Sequence, residues 1–206
     1  MYINIMYNYF LILIFILYFL YSLLLYFYFL NISKMKKYIF GYGSLVNNES
    51  RFITLKRYTE PIKVVLDSNF GYIRKWNYYN QEKNIIALGL EKNIVGSNIN
   101  GILFDVYDDE IAPLDKREIG YEKITIPPNY INILSKDKIL DIDSIIYTYI
   151  PTKDYRLYNN IDYVSPNKLN KTYINKCCNG FLSYDYNFYE SFVNNTYDWN
   201  ILLKYV

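Results

Sequence analysis

Hydrophobic and polar positions divide the chain into an apolar leader followed by many short runs. Residues 9–32 carry no charged side chain, and Lys34, Lys36 and Lys37 follow directly. A helix of that length would cross a hydrocarbon core of about 30 Å. After the lysines the pattern shortens. Tyr38–Phe40, Pro61–Leu66, Gly71–Tyr79, Ile85–Leu90, Ile99–Val106, Tyr121–Ile126 and a stretch within Ile139–Ile150 are alternating or continuously apolar. Each reads as a strand, and the run Ile85–Leu90 reads as a buried one. A turn around Gly96-Ser97 joins Ile85–Leu90 and Ile99–Val106 into a hairpin-like pair. Residues after Val46 predict a loop running into a short helix. Asp108–Arg117 has an amphipathic helical face through Ile111 and Leu114. From Asn167 to Val206 the spacing of Tyr173, Cys177, Phe181, Tyr189 and Phe192 predicts two helices packed on a sheet.

Strands flanked by helices in a chain of 206 residues indicate one α+β domain after the leader, with residues 1–34 as leader and 35–206 as the domain. The lysines that follow residues 9–32, with no basic residue before them, place the domain on the cytosolic side if the leader spans a membrane. Two other readings stand beside a membrane anchor. Met35 precedes Lys-Lys-Tyr-Ile-Phe-Gly-Tyr-Gly, so the leader can be upstream sequence included by a wrong start codon. A targeting signal is the third reading, although the basic start and small cleavage-site residues of a signal peptide are missing.

Composition removes several chemistries. The net charge of +2 gives no reason to expect nucleic acid as a partner. The absence of His excludes Ser-His-Asp and Cys-His catalysis and every His-containing metal site. Neither metal nor cofactor is expected. The 27 tyrosines read as the codon usage of an AT-rich genome rather than as 27 functional groups. Cys177 and Cys178 are adjacent, poorly placed to bridge each other, and read as buried helix residues in a reducing compartment.

Two stretches carry candidate chemistry. Tyr38-Ile-Phe-Gly-Tyr-Gly-Ser-Leu-Val46 is a strand that breaks at Gly41 and Gly43, and such a loop offers backbone N–H groups to an anion or a developing oxyanion. Asp115-Lys-Arg-Glu-Ile-Gly-Tyr121 places a charge cluster after an apolar strand. An ordinary turn and a solvated helix end have the same patterns. Arg74, two residues before Trp76, admits two readings as well: a substrate-carboxylate ligand, or a cation packed beside an indole.

Phe40-Gly-Tyr-Gly-Ser-Leu45 resembles the YGSL signature of the gamma-glutamylcyclotransferase-like superfamily, and Asp115-x-x-Glu118 with Gly120-Tyr121 resembles its acidic motif. Gly71–Trp76, Asn100–Val106, Tyr173–Gly180 and Phe192–Trp199 are similar in order and spacing to further segments, so the resemblance covers residues 38–199. It implies a small mixed β-barrel-like sheet with flanking helices. It also implies release of 5-oxoproline from a small γ-glutamyl amide or peptide, glutathione being one possibility, by attack of the substrate's own α-amine. Glu118 would be the general acid and base, Tyr42, Gly43, Ser44 and Leu45 the substrate's backbone donors, and Tyr121 a partner of the substrate carboxylate or of Glu118. The sequence departs from the family at Asn175, where a carboxylate is expected, and in its end after Trp199. A non-catalytic, membrane-tethered binding or scaffold domain of the same fold is the alternative.

Overall fold

A computed structural model of the chain describes residues 12–26, 35–80, 82, 85–135, 137–157 and 171–199. Contacts divide the chain into two compact units, Met1–Met35 and Lys36–Val206. In the first, residues 12–26 form helix α1, and nearly all of its side chains are exposed. No helix among the described residues is long and apolar enough to cross a membrane. The span expected over residues 9–32 extends outside the described residues at 9–11 and 27–32.

The second unit contains two sheets. The larger has six strands in the order β6 (Tyr121–Ile126), β8 (Ile145–Pro151), β1 (Lys37–Gly41), β5 (Ile99–Val106), β2 (Ile62–Leu66) and β7 (Ile131–Ile133). Only β1 and β8 run parallel; the remaining pairs are antiparallel. The smaller sheet has the order β4 (Ile85–Lys92), β3 (Tyr72–Asn80) and β9 (Thr196–Tyr197). Burial follows position. β1 and β5 lie inside the larger sheet and are buried along nearly their whole length, whereas β2 alternates buried and half-buried residues.

Among the described residues of this unit are also four helices: α2 (Asn48–Leu55), α3 (Asp108–Arg117), α4 (Lys171–Leu182) and α5 (Tyr186–Asn194). Helix α2 starts at Asn47, whose side chain accepts from the Ser50 N–H at 3.0 Å. Helix α3 has Asp108, Asp109 and Glu110 in its first turn and Lys116 and Arg117 in its last, the order that its dipole favours. Phe181 and Phe192 stack with ring centroids 4.1 Å apart, joining α4 to α5 over the core.

Two expectations are corrected. The strands do not close into a barrel; they form two open sheets, with β6 and β7 at the edges of the larger one. Ile85–Leu90 and Ile99–Val106 are not a hairpin. β4 is committed to β3 from Tyr72↔Lys92 to Asn80↔Ile85, and β5 has β1 on one side and β2 on the other. The sheets meet at Gly89, where a Cβ would lie 2.3 Å from Pro151 at the end of β8. The sequence pattern also left two short strands unmarked, β7 and β9.

Candidate active site

β1 ends at Gly41, and the chain turns through a single 3-10 turn, Ser44–Val46, before α2. The turn is tight because its glycines have no Cβ. A Cβ on Gly43 would lie 3.0 Å from the Tyr173 hydroxyl oxygen. The turn closes with Val46 N–H donating to Gly43 C=O at 3.0 Å and Asn47 N–H to Ser44 C=O at 3.2 Å. Neither bond uses the N–H of Gly43, Ser44 or Leu45, as at the start of any helical turn.

Arginines hold the turn from behind. Arg51, buried, donates through Nη1 to the carbonyls of Leu45 and Val46, both at 2.8 Å. Arg74 donates through Nη1 to Tyr42 C=O at 3.3 Å. In a trans peptide, the N–H points opposite to the preceding C=O. Fixing Tyr42 C=O on Arg74 therefore aims the Gly43 N–H away from that arginine.

Glu118 caps α3, its N–H donating to Leu114 C=O at 3.0 Å. Its side chain is 16% exposed and accepts from Arg117 Nε at 3.0 Å. The rest of the Arg117 guanidinium ties this acid to the turn and to α2. Nη2 donates to Ser44 Oγ at 3.2 Å and to Ser50 Oγ at 2.8 Å. Nη1 donates to Thr54 Oγ1 at 3.0 Å and to Ser50 C=O. Burial raises the Glu118 carboxyl above its ordinary 4.5, and the charge and hydrogen bond of Arg117 offset part of that rise.

The two parts face one recess. Phe40 to Leu45, Leu88, Glu118, Tyr121, Tyr149 and Tyr173 line about 310 Å³ of open space. A wider recess of about 610 Å³ shares Ser44, Glu118, Tyr121 and Tyr173 with it and continues toward the ends of β3 and β4. β4 is an edge strand, and tyrosines cover its open side at Leu88. Tyr121 Oη donates to Leu88 C=O at 2.7 Å, and Leu88 N–H donates to Tyr173 Oη at 3.3 Å. Tyr42 Oη donates to Tyr149 C=O at 2.6 Å, and Tyr149 Oη donates to Asp115 at 2.7 Å. Burial keeps Tyr42, Tyr121 and Tyr173 protonated by raising each well above 10.0.

Of the residues singled out in the sequence, Tyr42, Gly43, Ser44, Leu45, Glu118 and Tyr121 line the first recess together. Arg74 lines neither recess. It is fully buried and donates to Thr196 Oγ1 (2.8 Å), Asn100 C=O (2.7 Å), Asn100 Oδ1 (2.8 Å), Tyr42 C=O and Phe192 C=O. The Phe192 ring lies 4.6 Å from the guanidinium carbon. Protein carbonyls and rings thus occupy the cation that the sequence offered to a substrate carboxylate, and burial lowers its pKa to about 9. Asn175 is exposed and lines neither recess. Cys177 is buried and its thiol is pushed up by burial, while Cys178 is half-buried. The sequence gave no role to Arg117, Leu88 or Tyr149 and used Tyr173 only for its helical spacing and as part of a family segment. No group of three or more Cys, Asp or Glu among the described residues is placed to hold a metal ion.

No protein-family model matches the chain, and no curated protein matches it in sequence. Solved structures do resemble it. A gamma-glutamyl cyclotransferase aligns at 13% identity and a TM-score of 0.52, over 77% of this chain and 86% of that one. A yeast structure described as a gamma-glutamyl cyclotransferase specific to glutathione aligns at 12% identity and 0.52, over 84% of this chain and 97% of that one. YkqA from Bacillus subtilis aligns at 16% identity and 0.52, over 80% of this chain; the chain spans 55% of that protein's length. The fold of the described residues of the second unit is therefore gamma-glutamylcyclotransferase-like.

Proposed function

We propose that the chain is a cyclotransferase that releases 5-oxoproline from a γ-glutamyl amide, with Glu118 moving the proton. One observation carries this reading: a mostly buried carboxylate of raised pKa shares a recess with an arginine-held turn whose leading N–H groups are unused by the turn itself. The substrate's α-carboxylate would be held by the N–H groups of Gly43, Ser44 and Leu45, and the amine and γ-carbonyl would meet near Glu118.

The reaction balances without another reactant. The α-amine nitrogen attacks the γ-carbonyl carbon, forming the ring C–N bond, and loses a proton to the Glu118 carboxylate. The tetrahedral centre then collapses, the amide C–N bond breaks, and Glu118 returns the proton to the departing amine. The steps start from the free amine; its nitrogen becomes cationic as the ring bond forms, so a base must take its proton. Burial makes Glu118 a stronger base than an exposed glutamate and hence a usable acid in the second step. Amine and carbonyl already belong to one molecule, so holding them in attack geometry removes only the rotational freedom that the glutamyl chain retains. Tyr121 and Tyr173 stay protonated and bonded to Leu88, which fixes the walls on either side.

The test is incubation of the full chain with a panel of γ-glutamyl amides and peptides, including glutathione, and detection of 5-oxoproline. Product from at least one compound is the expected result. Its absence from all of them, with saturable binding retained, would favour a non-catalytic binding domain of the same fold.

A further inference from the structure

Glu118 and the turn before α2 come from distant parts of the chain, and one side chain joins them. Arg117, the last residue of α3, is next to Glu118 in sequence but 73 residues from Ser44. Its guanidinium is a planar, rigid fork. Nε donates to Glu118 Oε1 at 3.0 Å, while Nη2 donates to Ser44 Oγ at 3.2 Å. The other donors reach α2: Nη2 bonds Ser50 Oγ, and Nη1 bonds Ser50 C=O and Thr54 Oγ1. Five acceptors thus match the five N–H groups of the fork. Bonds to both ends of α2 and to the turn that precedes it fix the fork, and the fork fixes the acid.

The same bonds distinguish the two oxygens of Glu118. A guanidinium has no acceptor, so a proton on Oε1 would be set against a donor. Oε2 is therefore the oxygen suited to exchange a proton with a molecule in the recess that Glu118 lines. The reaction asks that oxygen to reach the amine first and the departing nitrogen next, around a γ-carbonyl placed by the turn. A misplacement of about 1 Å between such groups can cost about 10²-fold in rate.

We propose that Arg117 is a positioning residue of this reaction. Its fork sets the distance between Glu118 and the substrate-holding turn, and it presents Oε2 as the oxygen that takes the amine proton and returns it to the departing amide nitrogen. The role rests on the reaction proposed above, and Arg117 itself stays charged throughout. Its charge adds a consequence for pH. Burial raises the Glu118 carboxyl and Arg117 pulls it back, so without the cation the ionised base forms only at higher pH. The other titratable groups that face Glu118 are Tyr42, Tyr78, Tyr121, Tyr149 and Tyr173, and burial keeps all five protonated where a carboxyl titrates.

The experiment measures kcat and KM for 5-oxoproline release against pH in the full chain, Arg117→Met and Arg117→Lys. The substrate is the member of the γ-glutamyl panel, glutathione included, that the full chain uses best. In Arg117→Met, kcat/KM should fall about 10²-fold even above its acid limb, and that limb should move to higher pH. Lysine keeps the charge but not the fork, so Arg117→Lys should hold the limb close to the parent's while kcat/KM stays low. Parent-like kcat/KM in a folded Arg117→Met, or a fall with an unmoved limb, overturns the inference and leaves the reaction intact. Should Arg117→Met fail to unfold cooperatively in urea, Arg117→Lys decides: reduced kcat/KM supports the fork, and parent-like kcat/KM overturns it. No product from the full chain on any member of the panel overturns the reaction and this inference together.

Discussion

Replacing Arg117 with Met tests the link between stability and the candidate site. The substitution keeps an unbranched side chain but removes a guanidinium bonded to Glu118, Ser44, Ser50 and Thr54. Both members of the ion pair are largely buried, at 22% and 16% side-chain exposure. Removing one partner of a buried pair costs about 3–5 kcal/mol, and residual solvent contact places this pair near about 3. The cost should depend on pH. Burial already holds the folded Glu118 pKa above its ordinary value, and Arg117 pulls it down. Without Arg117 it rises further. A carboxyl with a raised folded pKa contributes stability that is present below its unfolded pKa and is lost as pH rises through the folded one. Arg117→Met therefore loses more than the parent as pH rises above about 4.5. In the acid, where Glu118 is protonated in both, only the lost bonds to Ser44, Ser50 and Thr54 remain, about 1–2 kcal/mol net. Urea unfolding from pH 4 to pH 8 measures the difference. The double variant Arg117→Met, Glu118→Gln should recover its pH-dependent part. A difference that stays flat with pH, or a double variant no more stable than Arg117→Met, would refute the reasoning.

Other consequences can be measured separately. Glu118→Gln should reduce 5-oxoproline formation by about 10²–10⁴-fold while preserving ligand-induced thermal stabilisation. Asp115→Asn should cost far less, because Asp115 bonds Lys123 at 2.7 Å and Tyr149 at 2.7 Å on the outside of the recess. The acid limb of kcat/KM should lie above the ordinary carboxylate range, since the base works ionised and burial raises its pKa; a limb at or below about 4.5 would count against Glu118. Arg74→Met should lower the unfolding free energy by about 3 kcal/mol or more, because five buried acceptors lose this donor and only Phe192 C=O keeps the Thr196 hydroxyl as a second one among the side chains that bond it. Native Cys177 should resist thiol reagents at pH 8 and react once urea unfolds the chain, because burial raises its pKa; rapid labelling in the folded state would contradict this. We also propose that a chain starting at Met35 folds cooperatively, and aggregation of that chain beside a monodisperse full chain would show otherwise.

Local pattern was enough to locate most elements. The seven expected strands correspond to β1 to β6 and β8, because period-two alternation and continuous apolar runs are properties of neighbouring residues. Asp108–Arg117 and the two C-terminal helices were legible for the same reason. Gly41, Gly43 and Glu118 were visible as a motif, since its residues are close in sequence within each half. Partner choice was not local. Gly96-Ser97 has the composition of a hairpin turn, yet the strands on either side belong to different sheets, β4 pairing with β3 and β5 with β1. Along the chain Arg74 is a cation in a strand-like run and Arg117 one member of a charge cluster, and neither setting says what the guanidinium will meet. Only the packing decided that Arg74 would be spent on carbonyls from Tyr42, Asn100 and Phe192, and Arg117 on Glu118 and the turn. Among 27 tyrosines, nothing in the sequence marked Tyr149, and Tyr173 was marked only by its helical spacing and its place in a family-like segment. What set them apart was a recess built from β1, β4, β6, β8, α4 and the end of α3, the first and last of them more than a hundred residues apart in the chain, whose burial gives a hydroxyl or a carboxyl its chemistry.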